Sequence, residues 1–371
     1  MKKTELQTPA ILVDLDILKC NIKKFQALCN ENNKQLWPMI KTHKSTEIVK
    51  IQETEGSTGF LCGTLDECEA ICEAGVKNIM YAYPVASDVS VNRVIELAKK
   101  SNFIIRIDNF NGAEMLNAAA LSAGVKVNYT IIIDSGLHRF GVLPNKAVDF
   151  ANSLKELKSL SFRGISTHPG HVYSALKHKD IQRYVEQEKS AIKTAVDALK
   201  NAGYTLEYIT SGSTPTFFGA VSDEYINVFH PGNYIFNDYI QLSTETAKES
   251  ECSLSVYATV ISHPSTDMFI CDAGAKCLGL DQGAHGNTAI KGHGYVKSHP
   301  ELTVDMLSEE VGKLYVEGST TLKVGDKIEI IPNHACSSAN LTNYLIGCRG
   351  DIAEKLIEVD MRGNSTTKNF K

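Results

Sequence analysis

The sequence predicts an α/β protein, a (β/α)8 TIM-type barrel followed by a C-terminal antiparallel β-domain, and three observations carry that prediction. From residue 14 onward, helix-period stretches alternate with eight short apolar runs, the count of a closed barrel completed in about 230 residues. After Thr244 the texture changes to short alternating runs separated by Gly, Pro and Asp turns, as in a separate β-domain. A doubly wound open sheet is the competing architecture; the count of eight argues against it, and no Gly-x-Gly-x-x-Gly follows the first strand. The expected boundaries are 1–244 for the barrel, whose first residues are free to pack on the other domain, and 245–371 for the β-domain.

Each element has its own warrant. Leu18, Ile22, Phe25 and Cys29 follow one another at helical spacing and draw a single apolar stripe, which predicts a helix over 16–30. Strand-like runs then recur at 35–40, 58–62, 78–83, 103–107, 128–133, 162–167, 206–210 and 225–229. Between them, Thr64-Leu-Asp-Glu67 has the form of a capping box opening a helix that stops at Gly75. Ala202-Gly203 ends a long helix that starts near Asp180. In the second half, runs at 253–262, 268–272, 294–296, 313–316 and 327–331 read as strands, the last entered through the turn Val324-Gly-Asp.

Composition narrows the function. With 371 residues, 43% hydrophobic content, a net charge of -5 and a pI near 6.1, the chain can bury a large core and shows no basic excess. Nucleic acid and anionic membrane surfaces are therefore poor partners. No apolar run approaches the roughly 20 residues of a spanning helix, and Met1-Lys-Lys-Thr-Glu-Leu6 has no signal-peptide character, so a cytoplasmic location is expected. The ten cysteines form no Cys-x-x-Cys pair and fall in apolar segments, which reads as buried reduced thiols.

In such a barrel the chemistry sits where strands end. Lys41 follows the first strand, at the mouth of Leu36-Trp-Pro-Met-Ile-Lys; alone it reads as a surface lysine, but partial burial there would make its amine a nucleophile toward an aldehyde. Tyr83, Asp108 and Asp134–Arg139 end later strands, and His168, His171 and Tyr173 follow the sixth. The loops after strands seven and eight, the usual phosphate site, hold Ser211, Gly212, Ser213 and Thr214, then Gly232, Asn233 and Tyr234. A Gly/Ser turn is ordinarily only a turn. Opposite a strand-end lysine, however, two such loops give the arrangement that pyridoxal phosphate needs, with Arg139 as a donor to its phenolic oxygen or, more simply, a structural ion pair.

Five ordered segments then resemble the D-threonine aldolase and D-serine dehydratase family of alanine-racemase-like, fold-type III pyridoxal-phosphate enzymes. They are Lys41-Thr-His-Lys, Asp134-Ser-Gly-Leu-His-Arg-Phe-Gly, Ser211-Gly-Ser-Thr-Pro-Thr, Pro231-Gly-Asn-Tyr-Ile-Phe-Asn-Asp and Pro332-Asn-His-Ala-Cys. The resemblance runs from Thr8 to about Leu341 and implies a Schiff base at Lys41, a homodimer, and a divalent metal on His334 and Cys336. On an extended segment residues two apart share a face, so that pair could hold one cation; a thiolate favours zinc, with manganese or magnesium as alternatives.

The chain departs from the family's pattern at Trp37-Pro-Met39 and at Ser308-Glu-Glu-Val-Gly312, where many relatives carry an arginine and histidines. Those departures bear on substrate identity and leave the lysine, the phosphate loops and the metal pair intact. The function so implied is a lyase on a D-3-hydroxy amino acid, of dehydratase or aldolase type, with His168, His171 or Tyr173 as catalytic base or substrate contact or, as readily, packing residues. Two alternatives share the cofactor: an amino-acid racemase, which would ignore the metal pair, and a non-catalytic pyridoxal-phosphate-binding protein, which would not need a second domain.

Overall fold

The computed structural model describes residues 1–283 and 287–363 as two β-sheets of eight and nine strands with helices packed on the first. The chain starts with strand β1 (Ala10–Asp14) and helix α1 (Leu15–Glu31). Asp14 caps α1, its Oδ1 accepting from the amides of Asp16 and Ile17, and the predicted stripe Leu18, Ile22, Phe25 and Cys29 is buried.

Eight strands alternating with seven helices follow. They are β2 (Gln35–Leu36), α2 (Thr46–Thr54), β3 (Phe60–Cys62), α3 (Leu65–Glu73), β4 (Asn78–Tyr81), α4 (Asp88–Lys100), β5 (Asn102–Ile107) and α5 (Phe110–Ala123). Next come β6 (Val127–Ile132), α6 (Ala147–Ser153), β7 (Leu160–Ser166), α7 (His178–Asn201), β8 (Tyr208–Ser211), α8 (Thr214–Ala220) and β9 (Val228–Phe229). Every pairing between these strands is parallel, in the order β2-β9-β8-β7-β6-β5-β4-β3, and a parallel bridge between Met39 and Leu61 joins the two ends into a barrel. All eight strands overlap the eight apolar runs. Trp37, Met39, Leu61, Met80, Ile104, Tyr208 and Val228 fill the barrel, while a larger core lies between its strands and the surrounding helices.

Thr64 caps α3 as read from the sequence, its Oγ1 accepting from the Glu67 amide at 3.1 Å. The reciprocal half of the capping box differs. Glu67 turns instead to the Gly63 amide at 2.6 Å and to Lys44 Nζ at 2.5 Å, making a buried ion pair under the loop that carries Lys41.

The short helix α9 (Tyr239–Ser243) leads to β10 (Leu254–Ser265) and β11 (Met268–Cys271). Then follow α10 (Ala275–Leu278), β12 (Gly294–Val296), β13 (Leu302–Leu307), β14 (Gly312–Val316), β15 (Lys327–Pro332), α11 (Ala335–Ala339), β16 (Tyr344–Arg349) and β17 (Ile352–Glu358). The sheet order is β11-β14-β13-β12-β15-β10-β1-β16-β17; because β11 also pairs with β10, six strands close into a second, antiparallel ring. β1 lies in this sheet, between β10 and β16, so the start of the chain is built into the β-domain. Among the described residues no helix is long and apolar enough to cross a membrane.

Candidate active site

The C-terminal ends of the barrel strands open into a cavity of about 280 Å³ that the α11 segment closes on one side. Lys41, Tyr83, Arg106, Arg139, His168, Tyr173, Gly212, Ser213, His230, Gly232, Asn233, His334 and Cys336 all line it. Its fixed charges are mostly positive. Asp134 is turned into its own loop, its Oδ1 accepting from the Gly136 and His138 amides and its Oδ2 pairing with His138 Nδ1 at 2.7 Å.

Lys41 sits in a single 3-10 turn, Ile40–Thr42, just past β2. Gly63 packs against it so closely that a Cβ there would lie 3.1 Å from Lys41 Cβ, and the Lys41 carbonyl accepts from Asn340 Nδ2 at 3.3 Å. The amine is thereby carried into the cavity on a backbone held from two sides.

Gly212 and Gly232 also border the cavity. A Cβ at Gly212 would meet the His230 backbone at 2.5 Å, and one at Gly232 would come within 2.8 Å of Thr42 Oγ1. At both glycines the space a side chain would need is taken by neighbouring protein, so only backbone borders the cavity there, as a phosphate cradle requires. Among the described residues, Asn233 Oδ1 and His230 Nε2 are buried there without a hydrogen-bond partner, which suits a polar ligand with donors and acceptors of its own. Ser213 also lines the cavity, although its Oγ is engaged with Thr216 Oγ1 at 2.9 Å.

The side chains of three residues expected in this cradle point elsewhere. Ser211 turns toward helix α7 and donates to Glu188 Oε1 at 2.7 Å, because as a strand residue it faces the opposite side from its neighbour Gly212. Thr214 lines a separate small crevice beside Asn21 and Phe218. Tyr234 is a core residue, its ring 4.5 Å from Phe25 and its hydroxyl accepting from Gln52 Nε2 at 2.9 Å.

The histidines divide. His168 Nδ1 donates to the Gly212 carbonyl at 2.6 Å, and burial, then Lys41, push its pKa down to about 3, so the ring is neutral at physiological pH. His171, by contrast, does not line the cavity; its Nε2 lies 3.2 Å from Gln187 Oε1 and its ring stands edge-on to Tyr184. Tyr173 reaches the cavity beside Cys336, with burial raising its phenol above the ordinary value and keeping it protonated. Arg139 stands at the exposed rim over Phe140 and Tyr83, at 5.2 and 5.9 Å, and makes no ion pair among the described residues.

The His334–Cys336 pair faces the cavity, but the segment is not extended as expected. His334 is the N-cap of α11 and Cys336 lies in its first turn, so the two side chains meet through the helix turn. Burial alone would raise the Cys336 thiol, yet His334, Thr42 and Lys41 together hold it below its usual value. His334 Nδ1 lies 3.5 Å from Asp281 Oδ1, the orienting carboxylate that a ligating imidazole generally has. A soft thiolate, an imidazole and this partner fit a borderline-soft divalent cation such as zinc. Among the described residues no cluster of three or more ligating side chains completes the site, so substrate or water would have to supply the remaining ligands.

Sequence reasoning passed over two lining residues. Arg106, on β5, is 4% exposed, and its only hydrogen bonds among the described residues go to Met80 Sδ at 3.3 Å and Thr210 Oγ1 at 3.2 Å. Burial lowers its pKa to about 9, which leaves a charged, unpaired guanidinium on the cavity floor. An arginine inside Phe103-Ile-Ile-Arg-Ile was the signal, since an apolar strand rarely spends an inward position on a charge without use for it. His230 Nδ1 donates to the Trp37 carbonyl at 2.9 Å, which aims its unpartnered Nε2 into the cavity. It opens the eighth strand-end loop, immediately before Pro231.

Comparison with known proteins bears on the family and the fold. Residues 13–239 match the family model described as alanine racemase, N-terminal domain, and residues 253–348 match one described as "Putative serine dehydratase domain". The chain is 29% identical to D-serine dehydratase of Dictyostelium discoideum over 90% of this chain and 91% of the relative, and 26% identical to D-threonine aldolase of an Arthrobacter species over 97% and 94%. The solved structure of D-threo-3-hydroxyaspartate dehydratase from Delftia sp. HT23 superposes with a TM-score of 0.91 at 25% identity, covering 98% of this chain and all of that one. By the match over its barrel, the chain belongs to the alanine racemase N-terminal domain family, within the branch in which a serine dehydratase domain follows the barrel.

Proposed function

We propose that the protein is a pyridoxal-phosphate- and divalent-metal-dependent lyase acting on a D-3-hydroxy amino acid, of dehydratase type. One observation carries the reading: Lys41, the bare loops at Gly212 and Gly232, and the His334–Cys336 pair converge on a single cavity although they come from four separate stretches of chain. The names of the relatives, dehydratases and an aldolase of D-amino acids, support the same class.

When bound, pyridoxal phosphate supplies an electron sink for charge released at Cα, and the divalent cation supplies a Lewis acid. The protein's own groups do the rest. Gly212, Ser213, Gly232 and Asn233 would hold the phosphate, and Lys41 the aldehyde. His168, neutral and tied to Gly212, offers a ring face that excludes water without adding charge. Arg139 at the rim and Arg106 on the floor are the cations available to anionic groups of cofactor and substrate.

Lys41 is the amine that would take the Cα proton, and His334 with Cys336 would hold the cation that assists departure of the β-hydroxyl. Cleavage of Cα–Cβ would instead need a base for the hydroxyl proton. His171 is turned out to Gln187, Tyr173 is held protonated, and burial makes the neutral cavity imidazoles of His168 and His230 weak bases, which supports β-elimination.

The test follows 2-oxo acid release from D-serine by the pyridoxal-phosphate-loaded, zinc-supplemented enzyme. Release is expected to fall by at least about a thousandfold in both Lys41→Ala and His334→Ala. A His334→Ala enzyme of unchanged rate would remove the metal from the reading and return it to a racemase or a binding protein.

A further inference from the structure

Resting on that reading, we infer that Asp238 and Asn340 are positioning residues that make binding of the cofactor and binding of the metal cooperative. Asp238 is fully buried between the two half-sites. Its Oδ2 accepts from Asn233 Nδ2 in the phosphate cradle and from the Ala335 amide, between the two proposed metal ligands, at 3.0 Å. Its Oδ1 accepts from the Gln241 amide at 3.1 Å and caps α9. One carboxylate oxygen thus joins the wall that receives the phosphate to the helix end that carries His334 and Cys336.

Asn340 makes the second link, at the other end of α11. Its Nδ2 donates to the Cys336 carbonyl at 2.7 Å and to the Lys41 carbonyl at 3.3 Å. The metal-bearing segment therefore grips both cofactor-holding segments, the cradle through Asp238 and the lysine turn through Asn340. A cation that fixes His334 and Cys336 fixes α11, and through these bonds it sets Asn233 and Lys41 in place; by linkage the cofactor does the same for the metal.

Asp238→Asn discriminates this from simple structural support. The amide oxygen can still cap α9, but the amide nitrogen would then face Asn233 Nδ2 and the Ala335 amide, donor against donor. Asn340→Ala cuts the other link at a less buried position.

The experiment titrates the full chain, stripped of metal and cofactor, with pyridoxal phosphate by absorbance, first without zinc and then with free Zn2+ saturating in a nitrilotriacetate buffer. In the wild type, zinc is expected to tighten the pyridoxal-phosphate Kd roughly tenfold, and pyridoxal phosphate to tighten the zinc Kd by the same factor. In Asp238→Asn the factor is expected to drop to about two or less, and in Asn340→Ala to an intermediate value. A purely structural role would weaken both ligands and leave the ratio unchanged. Wild-type affinities that ignore each other would overturn the inference while sparing the functional reading, as would a full factor in both variants. No pyridoxal-phosphate binding under any condition would overturn both.

Discussion

At the residue scale, buried polar groups separate into those that face the cavity and those that only look as if they should. Tyr234 sits in a motif of the phosphate loop, yet its hydroxyl is spent on Gln52. Tyr234→Phe is therefore expected to leave pyridoxal-phosphate affinity unchanged, while destabilising the fold by about 1–3 kcal/mol through the orphaned Gln52 amide; an affinity titration alongside urea unfolding checks both halves. Asp281→Asn is expected to weaken zinc binding by roughly 10–100-fold, because His334 loses the carboxylate that orients its ring. Competition with a chromophoric chelator reads that loss.

Glu188 shows the same scale in the core. It is fully buried on α7, accepts from Thr167 Oγ1 at 2.5 Å and Ser211 Oγ at 2.7 Å, and burial raises its pKa from 4.5 to about 7. A carboxyl that holds its proton more tightly when folded costs nothing below its unfolded pKa. Stability then falls as pH rises from about 4.5 to about 7, by on the order of 3 kcal/mol, and is flat above. Glu188→Gln keeps an oxygen for both hydroxyls and cannot ionise, so it is expected to be the more stable protein at pH 8 and to lose this dependence. Unfolding curves across pH 4 to 8 would contradict the account if wild type and variant ran parallel.

At the scale of elements, the barrel was legible because its strands are short apolar runs set between helices with one clear stripe. Leu18→Ala in α1, a fully buried member of that stripe, is expected to cost about 2–5 kcal/mol in chemical unfolding. The second half was read less completely. β13, β16 and β17 were missed, and β17 shows why: along Ile352–Glu358 only Ile357 is buried, and Glu354, Lys355 and Glu358 face solvent at the edge of the sheet. Edge strands carry charge to stop further pairing, which erases the alternation that would reveal them. The metal pair was found through its motif, but the helical turn that joins His334 to Cys336 was not, since Ala335–Ala339 is too short to have a periodicity. Arg106 was overlooked because a single charge in an apolar run does not break the strand pattern.

At the scale of the whole molecule, the two sheets meet where the chemistry is proposed. β1 threads the β-domain sheet before the barrel begins, so the chain enters and leaves that domain on either side of the barrel. The barrel brings the lysine and the cradle, and the β-domain brings α11 over the same cavity. Neither half holds the proposed constellation alone, which is the physical reason that a barrel-only binding protein is a poor description of this chain.

The most direct measurement is the product mixture from D-threonine incubated with the full chain, pyridoxal phosphate and zinc, followed by proton NMR. The account predicts 2-oxobutanoate and ammonium in amounts equal to the D-threonine lost, since elimination releases one water and hydrolysis of the imino acid takes one up. Glycine with acetaldehyde would contradict the dehydratase assignment, and an epimerised threonine with neither product would contradict the lyase itself.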